Sequence, residues 1–286
     1  MGITKFMVKL AKPLVERFPH LAMGYRYGRD HKPLFDEAKS TPNGFKLMGN
    51  PVMESGAFEP VETRLVKELV KKCDVFINVG ANIGYYICHA LSGGKKAIAF
   101  EPMELNQKYL YKNIKSNGWE NLAEVYPIAL SGQSGLMEIY GAGTAASLVK
   151  GWAGATSNPT VVPVARFDDV LGARFHNQQC FILIDIEGAE RFMLEGAAGF
   201  IERSPKPIWL IEICICEHQP AGLKVNPHLV QTFDMFWNRG YEVWTADKDL
   251  RIVSRDEIEK IANTAKDTLG THNFIFIEAG QKQRFL

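Results

Sequence analysis

An α/β fold built on a doubly wound, mostly parallel sheet is predicted for this chain by two observations. Short apolar runs, of the kind that form fully buried parallel strands, recur at 75–79, 96–100, 181–186 and 208–213. Segments with helical spacing separate them, and strand–helix alternation implies parallel pairing through right-handed crossovers. In such a fold a ligand lies at the carboxyl ends of the strands, near the switch in strand order. Gly80, Glu101 and Asp185 all stand at predicted strand ends.

Taken in order, residues 3–18 place Ile3, Phe6, Met7, Leu10, Leu14 and Phe18 at helical spacing, with Lys5, Lys9, Lys12 and Arg17 among them and a kink expected at Pro13. A basic amphipathic helix of this kind could make a peripheral contact with an anionic membrane surface; packing on its own domain or on a second copy in a homo-oligomer is the plainer expectation. Residues 24–56 are rich in Gly, Pro, Asn and charge without a sustained period, which predicts loops with a short hairpin. Tyr25, Arg26, Tyr27 and Arg29 there suit a sugar or an anion. Val61, Leu65 and Leu69, with Val66 and Val70, then repeat at four-residue intervals behind Pro60, predicting the first core helix over 60–72. The chain thus divides into an N-terminal extension, 1–58, and a domain over 59–286.

The first strand, 75–79, leads through Gly80 into a helix to about residue 91, and Gly93-Gly94 breaks it before the strand at 96–100. A helix over 105–117 and a third strand over 122–130 follow, then extended segments at 135–140 and 161–167. The small-residue stretch between these two, whose one large aromatic is Trp152, is a candidate lid or a plain loop. The fourth strand, 181–186, a helix over 189–202, the fifth strand, 208–213, a helix near 227–239 and strands at 241–245 and 273–278 complete the chain.

Composition narrows the function. A net charge of +1 over 286 residues gives no reason to expect a nucleic-acid partner, which needs a basic excess. An odd count of five cysteines fits reduced thiols, and no apolar run reaches the roughly 18 residues that span a bilayer. A cytoplasmic protein is the expectation.

The loop after the first strand decides in part which nucleotide. The dinucleotide fingerprint needs glycine at 80, 82 and 85, where the chain has Gly80, Asn82 and Tyr85. Gly80 with Gly84, in G-A-N-I-G, instead fits the loop of enzymes that bind S-adenosylmethionine. At this junction the first helical amides point outward, and a residue without Cβ lets a ligand lie against the backbone.

The segments FINVGANIGYY, AFEP, ARFDDVL, LIDIEGAE and WLIEI resemble, in order and spacing, the FkbM-type family of S-adenosylmethionine-dependent methyltransferases over roughly 59–286. The resemblance implies a class I methyltransferase, Rossmann-like sheet of seven strands with an antiparallel last strand, preceded by a helical and loop extension. It implies an O-methyltransferase acting on hydroxyls of sugars, glycans or glycosylated natural products, with cofactor residues Asn78, Gly80, Ala81, Asn82, Gly84, Tyr85, Glu101, Pro102 and Asp185. Two positions depart from the family pattern. Asn78 stands where Asp is usual, and Leu183 stands where Lys is usual. These departures suggest a second reading, a protein that keeps the cofactor pocket without transferring.

Glu101 suits the two ribose hydroxyls because an ionised carboxylate only accepts. Asp185 and Glu187 share one side of a strand across Ile186, where two close carboxylates would raise one pKa towards a useful base or share a divalent cation. Glu212 could join them, and His218 could serve as the base. Glu190 is expected to cap its helix, and Asp168 to be structural or at the edge of the cofactor. Cys214, Cys216 and His218 sit at two-residue intervals, too close for a zinc site, so no metal ligand is assigned.

Overall fold

In the computed structural model the described residues are 35–141, 143–156 and 159–286. Among them the central sheet has seven strands: β1 (Val75–Val79), β2 (Lys96–Phe100), β3 (Ala123–Tyr126), β4 (Cys180–Ile184), β5 (Ile208–Glu212), β6 (Tyr241–Thr245) and β7 (Asn273–Glu278), in the order β3-β2-β1-β4-β5-β7-β6. Neighbours from β3 to β5 run parallel, and β7 is antiparallel to both β5 and β6. This is the Rossmann-like, seven-stranded sheet that the resemblance implies. Strand order reverses beside β1, so the ends of β1 and β4 open a crevice.

Helices cover both faces, and this is why the strands are apolar throughout rather than alternating with polar residues. Val75, Ile77 and Val79 face one core with Phe100, Ile182 and Trp209; Phe76 faces the other with Ala97, Phe181 and Leu210. On the Phe76 side lie α1 (Pro60–Lys71), α2 (Tyr85–Ser92) and α3 (Glu104–Ser116). On the other lie α4 (Glu190–Glu195), α5 (Ala198–Ile201), α6 (Leu229–Trp237) and α7 (Arg255–Thr264). Asn78 shares the Phe76 side and is 1% exposed, a polar residue on an otherwise apolar strand.

Several element boundaries differ from the sequence expectations. The strand expected over 122–130 ends at Tyr126, because Pro127 has no N–H to continue the ladder. Ala129–Leu130 instead pairs with Thr160–Ala165 in a separate sheet completed by Gly135–Ile139. Phe167 opens a short helix, Phe167–Leu171, rather than extending the strand. The strand expected over 181–186 stops at Ile184. The helix expected over 189–202 divides at Gly196, whose added Cβ would lie 2.3 Å from the Ser131 carbonyl oxygen. The helix Arg255–Thr264 lies in a stretch left unassigned in the sequence reading; Ser254 caps it by accepting the Glu257 N–H at 3.3 Å.

The described part of the extension packs on the domain. Lys39–Ser40 and Lys46–Leu47 pair as the expected hairpin. Phe45, Leu47 and Met53 are buried in the α1–α3 core, and Met48 exchanges two hydrogen bonds with the Asn113 side chain. The stretch 3–18 and Tyr25, Arg26, Tyr27 and Arg29 lie outside the described residues. No helix among the described residues is long and apolar enough to cross a membrane.

Candidate active site

The loop leaving β1 is pinned between its neighbours. Gly80 and Ala81 donate to the Phe100 carbonyl, both at 3.0 Å, and Asp185 N donates to the Val79 carbonyl at 3.0 Å. Gly80 has φ +81°, and a Cβ there would lie 1.9 Å from the Asp185 carbonyl oxygen, so the residue is fixed by the close approach of β1 and β4. Gly84 packs against Leu110. Ala81 and Tyr85 are buried, and the Tyr85 ring stands edge-on to Phe58.

Glu101, 4% exposed, ties this loop to the start of α3. Its Oε2 accepts the Asn82 N–H at 2.7 Å; its Oε1 accepts from Met103 N at 2.9 Å and from Asn106 Nδ2 at 3.2 Å. Burial pushes the Glu101 pKa up, and these three hydrogen bonds oppose that. The carboxylate expected to take both ribose hydroxyls therefore already carries three donors. Beside it runs a slot walled by Phe100, Pro102, Met103, Ile128, Leu130 and Leu148. An apolar slot with one carboxylate at its edge fits a flat base joined to a hydroxyl-bearing sugar.

Behind Gly80 lies a second cleft, bordered by Asn78, Asp185, Glu187, Glu212 and Glu59. Asp185 and Glu187 meet there because the chain turns beyond the end of β4, with Glu187 at φ +55°, rather than through alternation along a strand. Burial, then Glu212 and Glu187, holds the Asp185 carboxyl well above the usual carboxylate range. Burial, then Glu187 and Glu59, pushes Glu212 up to about 8. One Glu187 oxygen accepts the Trp152 indole N–H at 2.8 Å, and the Trp152 ring, 2% exposed, lies over Gly188. The stretch read as a candidate lid is thus anchored at its centre on the Asp185–Gly188 turn.

His218 stands apart from these carboxylates. It is exposed, its ring lies 6.2 Å from that of Trp152, and it borders neither the slot nor the acidic cleft. Cys214 is buried and Cys216 partly so, and no group of three or more His, Cys, Asp or Glu side chains among the described residues could hold a metal ion. Asp168 accepts the Gly199 and Phe200 N–H groups at 2.8 and 3.0 Å, capping α5. Glu190 accepts the Gly188 N–H at 2.9 Å.

Residue types and local spacing assign no site role to Glu59, Tyr86, Asn106 or Trp152. Tyr86 lay inside the quoted G-Y-Y, and Trp152 was noted only as the large aromatic of its loop. Glu59 precedes a helix-opening proline with φ +39°, a geometry that residue types alone do not announce.

Glu190 is also buried, and burial pushes it up to about 8 from an ordinary 4.5. Both Glu190 and Glu212 hold their protons more tightly folded than unfolded. The stability this contributes is full below about 4.5 and is lost as pH rises through about 8. The melting temperature of the protein is therefore expected to fall across that window, and Glu190→Gln to flatten the fall. A profile unchanged in the variant would count against this origin.

The family described as Methyltransferase FkbM domain matches residues 78–243. Solved structures similar to the chain include Methyltransferase FkbM from Methylobacillus flagellatus, at 16% identity and TM-score 0.41, covering 72% of this chain and 44% of that one. An O-methyltransferase from Bacillus cereus, solved in complex with SAH, is similar at 11% identity and TM-score 0.43, covering 76% of this chain and 80% of that one. The chain thus spans less than half of the Methylobacillus protein. None of the curated proteins matches.

Proposed function

The chain belongs to the FkbM methyltransferase family, and from that membership we propose that it is an S-adenosylmethionine-dependent O-methyltransferase acting on a hydroxyl of a sugar, glycan or glycosylated natural product. The observation that carries this reading is the position of Asp185, which borders both the slot beside Glu101 and the acidic cleft behind Gly80. A nucleoside in the slot leaves its reactive end at that junction.

When bound, S-adenosylmethionine supplies a methyl group already activated on a sulfonium sulfur. The protein's own tasks are then to hold, orient and take up one proton. Glu101 keeps one strong acceptor site on Oε2 for a ribose hydroxyl; the 3.2 Å bond from Asn106 is the longest of its three and the one a second hydroxyl displaces. Pro102 helps wall the slot, while the Gly80–Gly84 loop and Asn78 face the aminocarboxyl end, with Asn78 offering an amide where a charge is usual. Asp185 takes the proton of the acceptor hydroxyl, its raised pKa bringing it closer to working pH. Burial first, then Glu212 and Glu187, keep that pKa raised, and Trp152 fixes Glu187. Residues 50–59, among them Asn50, Met53 and Phe58, cover the acceptor side.

The test is methyl transfer from labelled cofactor to a panel of glycans and glycosides. Asp185→Asn is expected to lower kcat by roughly 100-fold or more, the usual contribution of a positioned base, with cofactor affinity largely kept. Wild-type kcat in this variant would remove Asp185 as the base. A scaffold that binds cofactor without transferring is the second reading, favoured by Asn78 and Leu183, and it predicts tight cofactor binding with no acceptor turned over.

A further inference from the structure

Resting on that reading, we propose that Ser147 and Trp152 are positioning residues for the cofactor, joining two walls of its slot that would otherwise stand apart. One wall is a strap, residues 143–155, which gives Gly143, Ala146 and Leu148 to the slot; the other is the turn after β4, which gives Asp185, Ile186 and Glu187. Neither Ser147 nor Trp152 borders the slot or the acidic cleft. Both are buried, at 1% and 2% exposure, and both end on Glu187.

Ser147 holds the backbone of that residue. Its N–H and carbonyl pair with Tyr140 at 2.9 and 2.8 Å in an isolated antiparallel bridge, and extended backbone turns alternate side chains to opposite sides. Ala146 and Leu148 therefore face the slot, while the Ser147 hydroxyl donates to the Glu187 carbonyl at 2.5 Å and accepts the Val149 N–H at 2.9 Å. Trp152 holds the side chain. Its indole N–H donates to the Glu187 carboxylate at 2.8 Å, and a Cβ on Gly188 would lie 2.4 Å from its ring. At φ +55° Glu187 occupies the left-handed region, disfavoured for a residue with a Cβ and kept only where the surroundings over-determine it. The strap is tied at two further points. Ala153 N donates to the His218 carbonyl at 2.9 Å, and Asn106 Nδ2, which donates to Glu101, also reaches the Gly143 carbonyl at 3.4 Å. Strap, turn and the carboxylate proposed to take the ribose thus form one hydrogen-bonded frame, and loosening it at Glu187 frees one wall of the slot from the other.

The experiment is calorimetric titration of S-adenosylhomocysteine into the full chain in a double-mutant cycle: wild type, Trp152→Phe, Glu187→Ala and the pair. Trp152→Phe keeps a ring over Gly188 and loses the N–H. It is expected to weaken binding about 10-fold, the value of one hydrogen bond to a charged group, and by less than about 2-fold when Glu187 is already Ala. Ser147→Ala is expected to weaken binding about 5-fold in both backgrounds, because it acts on the Glu187 backbone rather than on its carboxylate. A Trp152 that merely fills space would cost the same in both backgrounds. That additive result, or wild-type affinity in Trp152→Phe or in Ser147→Ala, overturns this inference and leaves the methyltransferase reading standing. Should Trp152→Phe fail to fold by circular dichroism, Ser147→Ala decides alone, weakened binding supporting the inference and wild-type binding overturning it. Failure of the nucleoside to bind the wild type overturns both.

Discussion

Gly80→Ala is expected to abolish cofactor binding and to lower the melting temperature by roughly 6–12 °C. A non-glycine residue at φ +81° costs about 1–2 kcal/mol, and the new Cβ would lie 1.9 Å from the Asp185 carbonyl oxygen and 3.0 Å from Ile186 Cγ2. Neither neighbour is the free end of a flexible side chain. The carbonyl belongs to the turn that carries Asp185 and Glu187, so relief requires the ends of β1 and β4 to part and strains the Asp185 N–H bond to Val79. Adding overpacking of about 1–3 kcal/mol brings the cost to roughly 3 kcal/mol or more, concentrated where the cofactor is proposed to lie. Thermal melts and a calorimetric titration check this; a variant that melts and binds like the wild type would mean that β1 and β4 are not clamped at this point.

Glu101→Gln is expected to weaken cofactor binding by roughly 100-fold, although it changes only one atom. The wild-type carboxylate meets donors on both oxygens: Asn82 N on one, Met103 N and Asn106 Nδ2 on the other. A carboxamide must turn its NH₂ towards one of these groups, leaving a buried donor opposed, at about 1–3 kcal/mol, and removing the charge proposed to face the ribose. Glu101→Ala should lose as much affinity and leave three donors unpaired. Retained affinity in the Gln variant would place the sugar elsewhere.

The alternation of strand and helix was legible in the sequence because both sheet faces are buried. Runs such as 75–79 and 273–278 could only be strands, and their bounds agree with β1 and β7. Asn78 was legible as a departure from the family pattern; that it also interrupts an apolar strand face needed the register. The grouping of Asp185, Glu187 and Glu212 was anticipated, but for a reason that fails. The carboxylates meet because β4 stops at Ile184 and Glu187 takes a left-handed turn, a property of backbone that alternation rules do not see. Trp152, 35 residues before Glu187, and Glu59, 27 before Tyr86, reach the site through long-range packing, which no local spacing encodes. His218 was drawn in by proximity to β5 in the chain, and its exposed position beside Trp152 depends on the path of the 213–226 loop.

The most direct test of the central claim is a crystal structure of the protein grown with S-adenosylhomocysteine. The adenine is expected between Pro102 and Leu148, a ribose hydroxyl on Glu101 Oε2, and the homocysteine end against Asn78 and the Gly80 loop, with the sulfur turned towards Asp185. A nucleoside bound away from Glu101, or a crystal grown at saturating concentration with none bound at this turn, would contradict it.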